Sequence, residues 1–335
     1  MNNKVKCINR NNELNLFIEL LFLYFCSFLI FAVVNQFFGH SRDYEGYQMI
    51  FTYEIKKQRK ATEPFFSFLR FINDCLFSSN LRFIFLFTTI FSLYYKWKCF
   101  KNITGKRPYF IFFCFYSCFF WIHEYTQIRA SCAIAIFFMS LIDLINNKNK
   151  DYLIKAFIAT LFHYSAFTMF IFYLYVRLFK SKRIYILLTL FGFLFSILCS
   201  NFLGRELRKI LFIIEKASGI NKSGTISDFM SPFNKKYLIL LITFILNALV
   251  TDEFDVINMT LMKAMSFGLC FYYWLNPLGL PVISVRLAEF YTSVFVLYYF
   301  LNIRNIRVKE KKVFTIIPLI VVGIYTIASL RTAIL

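Results

Sequence analysis

The chain has 335 residues, of which 59% are hydrophobic and 21% aromatic, and it carries a net charge of +20. A soluble domain is roughly 45–50% apolar, so this composition excludes an ordinary water-soluble fold. The basic residues lie in short loops beside apolar blocks, where they read as topology anchors and lipid contacts rather than as a nucleic-acid surface. Nine cysteines without a CxxC pair, and three histidines, argue against both a disulfide framework and a structural metal site.

Lys4, Lys6 and Arg10 precede an apolar run from Leu16 to Val34. That run is too long for a signal-peptide core and reads as a retained first helix. Further apolar blocks fall at 65–95, 108–124, 128–145, 152–167, 168–179, 184–203, 237–251, 259–275, 283–301 and 313–332. At about 20 residues per crossing, they predict an all-α polytopic bundle of about ten or eleven transmembrane helices, forming a single integral membrane domain over 1–335. The second block opens with Arg70, Asn73 and Asp74, which predicts an interfacial helix at 65–77 before the span at 81–95. The fifth and sixth blocks are short, and read either as two spans or as one long tilted helix.

Lysines and arginines orient the chain. The stretch from Lys96 to Arg107 holds five bases and no acid, and similar clusters are Lys148, Lys150 and Lys155, then Arg177, Lys180, Lys182 and Arg183, then Arg304 to Lys312. Eleven spans with a cytoplasmic N-terminus put all of them in the cytoplasm. Two longer loops, 36–64 and 204–236, then face outside. No internal repeat is visible, which counts against an inverted-repeat transporter.

Ionisable side chains in or beside a span are expensive and therefore functional candidates. On the predicted outer side, Asp43 and Glu63 flank the first loop, and His123 and Glu124 end the third block. Gln127 and Arg129 open the fourth block, and His163 lies near the outer end of the fifth. Arg205 opens the second loop, and Arg286 and Glu289 open the tenth block. Each has a plainer reading: snorkelling for Arg129 and Arg286, a core histidine for His163, solvated loop charges for Asp43 and Glu63, and a polar helix end for His123 and Glu124. The small residues Ala130, Ser131 and Ala133 allow close helix packing and point Arg129 into the bundle. Arginine binds phosphate bidentately and stays charged. Arg129, Arg205 and Arg286 on one face therefore suit an anionic head such as a lipid diphosphate, with carboxylates or His163 as base or charge stabiliser.

Asp43-Tyr44-Glu45-Gly46-Tyr47-Gln48-Met49-Ile50-Phe51 resembles the D-Y-x-x-Y-x-x-x-F stretch of EpsG-like, Wzy-type polysaccharide polymerases. Glu63-Pro64-Phe65-Phe66 resembles their E-P-x-F/Y element, and Phe162-His163-Tyr164-Ser165-Ala166 matches F-H-x-S-A. Gln127 to Ala135 is similar to R-Q-x-I/L-A with the leading order altered, so that either Gln127 or Arg129 takes the first role. Val285 to Tyr291 is loosely similar to R-[IL]-x-x-Y-F. The resemblance covers about residues 40 to 300. It implies a bacterial inner-membrane enzyme that joins repeat units carried on undecaprenyl diphosphate, on the periplasmic or outer face, for O-antigen, capsule or exopolysaccharide. It implies no nucleotide sugar, metal or other cofactor. Expected partners are the lipid-linked oligosaccharide, membrane lipids and a chain-length regulator protein. Arg129 and Arg286 would hold the diphosphate with help from Arg205, and Asp43, Glu63 or His163 would orient or deprotonate the acceptor hydroxyl.

Two other classes remain. A multi-span lipid-phosphate-sugar glycosyltransferase would use the Asp43-x-Glu45 spacing for a divalent metal. A flippase or transporter of lipid-linked sugars would show an internal repeat and broken mid-membrane helices. A ligase is a nearer relation, but it would carry a longer late outer loop than the one around Pro277 to Pro281.

Overall fold

The computed structural model describes residues 2–35, 41, 43–51, 63–105, 108–201, 231–251, 255–278, 280–303 and 311–334. Arg205, most of the second loop and 36–40, 42 and 52–62 of the first loop lie outside the described residues. Among the described residues all regular structure is helical. The order is α1 (Asn2–Val34), α2 (Tyr44–Phe51), α3 (Pro64–Leu76), α4 (Leu81–Thr104), α5 (Pro108–His123), α6 (Ile128–Ile145) and α7 (Asn149–Phe162). A 3-10 turn (Tyr164–Phe167) leads into α8 (Thr168–Leu178), α9 (Lys182–Asn201), α10 (Lys235–Val250) and α11 (Val256–Leu275). The chain closes with α12 (Pro281–Thr292), α13 (Phe295–Asn302) and α14 (Lys311–Ile334).

Each of the eleven apolar blocks coincides with one or two of these helices. Among the described residues four segments are long and apolar enough to cross a bilayer by length and composition: Leu16–Val34, Ile128–Ile145, Lys182–Cys199 and Pro281–Asn302. Shorter apolar helices lie at Pro108–His123, Tyr164–Leu178 and Ile316–Arg331. The outward faces of the helices are greasy: Leu16, Phe17, Phe31, Phe157, Phe191 and Ile327 are all exposed. A water-soluble protein does not present such a surface, whereas a helical membrane bundle does.

Breaks between helices have local causes. Ser78 and Ser79 take left-handed backbone angles (φ 51° and 59°) and separate α3 from α4. Asn80 then caps α4 by accepting from the Arg82 amide at 3.0 Å. Prolines open α3 and α12, where the missing N–H is not needed. The fifth and sixth blocks form two antiparallel helices rather than one tilted helix. Tyr152 near the start of α7 donates to the Met169 carbonyl of α8 at 2.9 Å, and Arg177 near the end of α8 reaches Asn149 at the start of α7.

Aromatic packing joins the bundle. Phe22 of α1 lies 4.2 Å from Trp97 of α4 and 5.5 Å from Phe112 of α5. Phe137 of α6 contacts Phe290 at 5.3 Å and Tyr291 at 5.1 Å, tying the first half of the chain to the second. At the α11–α12 crossing a Cβ on Gly268 would meet the Thr292 amide nitrogen at 3.0 Å, so only glycine admits this approach.

One expectation needs correction. Lys96, read as the first base of a cytoplasmic loop, lies inside α4, which runs on to Thr104. Its side chain is completely buried, because the helix continues two turns past the apolar stretch and turns Lys96 into the bundle.

Candidate active site

Glu63 stands at the N-cap of α3, followed by Pro64 at the first helical position. Its backbone carbonyl accepts from the Ser67 amide at 3.0 Å, which leaves the carboxylate free to reach sideways. Each of its oxygens has a partner. Oε2 accepts from an Arg129 guanidinium nitrogen at 2.6 Å, and Oε1 lies 2.9 Å from Nδ1 of His163. Three residues from the end of the first loop, the start of α6 and the end of α7 thus meet in one cluster. The Glu63 side chain is only 5% exposed, against 15% for His163 and 26% for Arg129. Burial pushes the Glu63 carboxyl up, but the His163 hydrogen bond and the Arg129 charge outweigh it and hold the group below its ordinary value.

Neighbouring motif residues build the walls. His163 adopts an extended backbone (φ −156°, ψ 123°) that ends α7, and its carbonyl accepts from the Ala166 amide at 2.9 Å. Ala166 is fully buried, so the turn has room only for a small residue. Phe162 stacks on Phe65 at 3.8 Å and on Phe91 at 5.1 Å, which fixes α3 and α7 against α4. Tyr47 of α2 lies under Arg129, with the guanidinium carbon 5.6 Å from the ring centroid. Burial pushes its hydroxyl up to about 12, with Arg129 lowering it and Asp43 raising it. Asp43 opens α2, its carbonyl accepting from the Tyr47 amide at 3.0 Å.

Gln127 is the N-cap of α6 and makes no side-chain cap bond; Arg129, not Gln127, engages the carboxylate. Arg286 is exposed on α12 and makes no ion pair among the described residues. Arg205 lies outside them.

Sequence reasoning missed a second cluster next door. Lys96 donates to Glu124 Oε1 at 2.5 Å and to the Ser131 hydroxyl at 3.0 Å. Ser92 and Tyr116 donate to the same Glu124 oxygen at 2.9 and 3.1 Å. Both charged side chains have zero exposure. Ser131 sits two positions after Arg129, so the first turn of α6 faces this dry network on one side and Glu63 on the other. A signal was present: Thr88, Ser92 and Lys96 recur every four residues, marking one polar face of α4. Ser92 and Lys96 lie roughly 16 and 22 Å along α4 from its start, so the α5–α6 turn is recessed between the helices.

A third pair joins Lys236, near the start of α10, to Glu289 of α12 at 2.5 Å. Lys236 also faces the Tyr325 ring at 4.7 Å. His123, expected beside Glu124 as a polar helix end, is buried and stacks on Phe119 at 4.9 Å. The opposite end of the bundle holds Lys155 paired with Asp143, and Lys182 bonded to the Thr251 carbonyl at 2.7 Å. Lys148 and Lys150 at the start of α7 lie about 20 Å from His163 along the helix, and Lys155 about 12 Å.

A sequence model of the EpsG family matches residues 20–334. No curated protein matches the chain, and no solved structure does.

Proposed function

Because the chain belongs to the EpsG family, whose members are polysaccharide-polymerase-like membrane proteins, we propose that it is a polymerase joining oligosaccharide repeat units carried on undecaprenyl diphosphate. The observation that carries the reading is the meeting of Glu63, Arg129 and His163, each from a separate motif, in one half-buried cluster. The basic anchors at the other end of α7 support a cytoplasmic N-terminus and a site opening to the periplasmic or outer face of the bacterial inner membrane.

In this reading a hydroxyl of one lipid-linked unit attacks the anomeric carbon of another, and undecaprenyl diphosphate leaves. Arg129 offers a planar fork to the diphosphate. It stands at the N-terminus of α6, where the helix dipole also favours an anion. Arg286 and Arg205 serve as further contacts to the phosphorylated head. Asp43, Glu63 or His163 orients or deprotonates the acceptor. The partners are the lipid-linked oligosaccharide, surrounding lipid and a chain-length regulator protein.

The test is the fate of lipid-linked repeats in a deletion strain. Single repeats accumulating on the outer face support a polymerase. Accumulation on the inner face identifies a flippase instead, and unchanged full-length polysaccharide refutes the proposal.

A further inference from the structure

Glu63 is the less accessible of the two candidate bases in the arrangement observed. Each of its oxygens already has a donor partner and its side chain is 5% exposed. His163 is the more open of the two, at 15%. An ionised carboxylate only accepts hydrogen bonds, so Nδ1 of His163 carries the proton shared with Glu63, and in the neutral ring the lone pair sits on Nε2. Arg129, for its part, places a cation at the positive end of α6, an unfavourable position unless an anion neutralises it. Glu63 fills that role, yet the buried Arg129 Nε has no partner among the described residues. The guanidinium thus has donor capacity that the carboxylate does not use.

We propose that His163 is the catalytic base and that Glu63 is the positioning residue it shares with the anion site, one oxygen orienting the imidazole while the other occupies Arg129 until a substrate diphosphate displaces it. This rests on the polymerase reading above. A diphosphate brings more charge and more acceptor oxygens than a carboxylate, and so competes for Arg129. Displacement frees only Oε2; Oε1 stays on Nδ1 and the base keeps its orientation. The acceptor hydroxyl then gives its proton to Nε2 as its oxygen bonds to the anomeric carbon. The anomeric C–O bond breaks with its electron pair going to the diphosphate, and His163 returns the proton to water.

The experiment measures binding of farnesyl diphosphate to the full chain in lipid nanodiscs, alongside polysaccharide length in cells carrying the same variants. Glu63→Gln removes the competing charge, so affinity rises about fivefold or more while polymer is lost, because only the accessible fraction of Arg129 limits apparent affinity in the wild type. His163→Gln loses polymer with affinity within about twofold of wild type, since it leaves the anion site in place. Glu63→Asp, which withdraws the charge by one methylene, tightens binding by less and guards against poor folding of the Gln variant. Damage to the fold lowers affinity and polymer together, so opposite movement of the two is the signature. Unchanged or weaker binding in both Glu63 variants, or normal polymer in either Glu63→Gln or His163→Gln, overturns the inference. Arg129→Gln separates the levels: a loss of about tenfold or more in affinity sustains the anion site, whereas wild-type affinity there removes the polymerase reading's diphosphate anchor itself.

Discussion

The first turn of α6 divides two ion pairs of nearly equal length. On one side Lys96 meets Glu124 at 2.5 Å, with neither side chain exposed. On the other Arg129 meets Glu63 at 2.6 Å, with the arginine 26% exposed. In the first pair one carboxylate oxygen collects a lysine, two serine hydroxyls and a tyrosine hydroxyl, all from helices of the bundle. In the second, the two oxygens are divided between a guanidinium and an imidazole that both reach toward the surface. Distance alone does not assign a role. The buried pair meets no solvent and ties α4, α5 and α6 together through one carboxylate oxygen; the half-open pair leaves an arginine and a histidine for something else to meet.

The contrast predicts different responses to mutation. The largest effect falls on the buried pair. Glu124→Ala leaves the Lys96 charge uncompensated in a dry site and lowers stability by about 3–5 kcal/mol, read as loss of folded protein in a thermal melt in detergent. Lys96→Met combined with Glu124→Leu recovers most of that loss, because apolar replacement of a whole buried pair is commonly tolerated. Failure to recover would show that the charge itself is needed. Next in size, Arg129→Ala destabilises by only about 1–2 kcal/mol, between the exposed and buried cases, since Glu63 keeps His163; the same melt checks it.

The smallest effect is a pH dependence. Glu63 has its carboxyl held below its ordinary 4.5. A depressed carboxylate stabilises the fold fully above its unfolded value, and that contribution is lost as pH falls through the folded value. The stability difference between wild type and Glu63→Gln is therefore flat from about pH 8 to pH 5 and shrinks only below 4.5. Thermal melts across that range read it directly, and a difference that grew on acidification would reverse the sign.

The half-open cluster was legible in the sequence because its members interrupt or border apolar blocks, where charge stands out. Glu63, Arg129 and His163 each announce themselves in this way, whereas the extended backbone that breaks the helix at His163 does not, since the apolar block 152–167 runs through it. The Lys96 network was not legible on the same grounds. Lys96 opens a run of bases that looks like a membrane anchor, and only the continuation of α4 to Thr104 shows it facing inward. Arg286 and Glu289 illustrate the same limit. They sit three residues apart on one helix, yet Glu289 is buried against Lys236 and Arg286 is exposed, a difference set by where α10 packs. The question of one or two helices between 152 and 179 likewise turned on tertiary bonds, from Tyr152 to Met169 and from Arg177 to Asn149, which no local pattern encodes.

The most direct measurement is the length of polysaccharide made by cells whose only copy carries Arg129→Ala or His163→Ala, with the variant present at wild-type abundance. Single repeats or very short chains from both variants are expected if the cluster around Glu63 performs the joining reaction. Full-length polymer from either one contradicts that account.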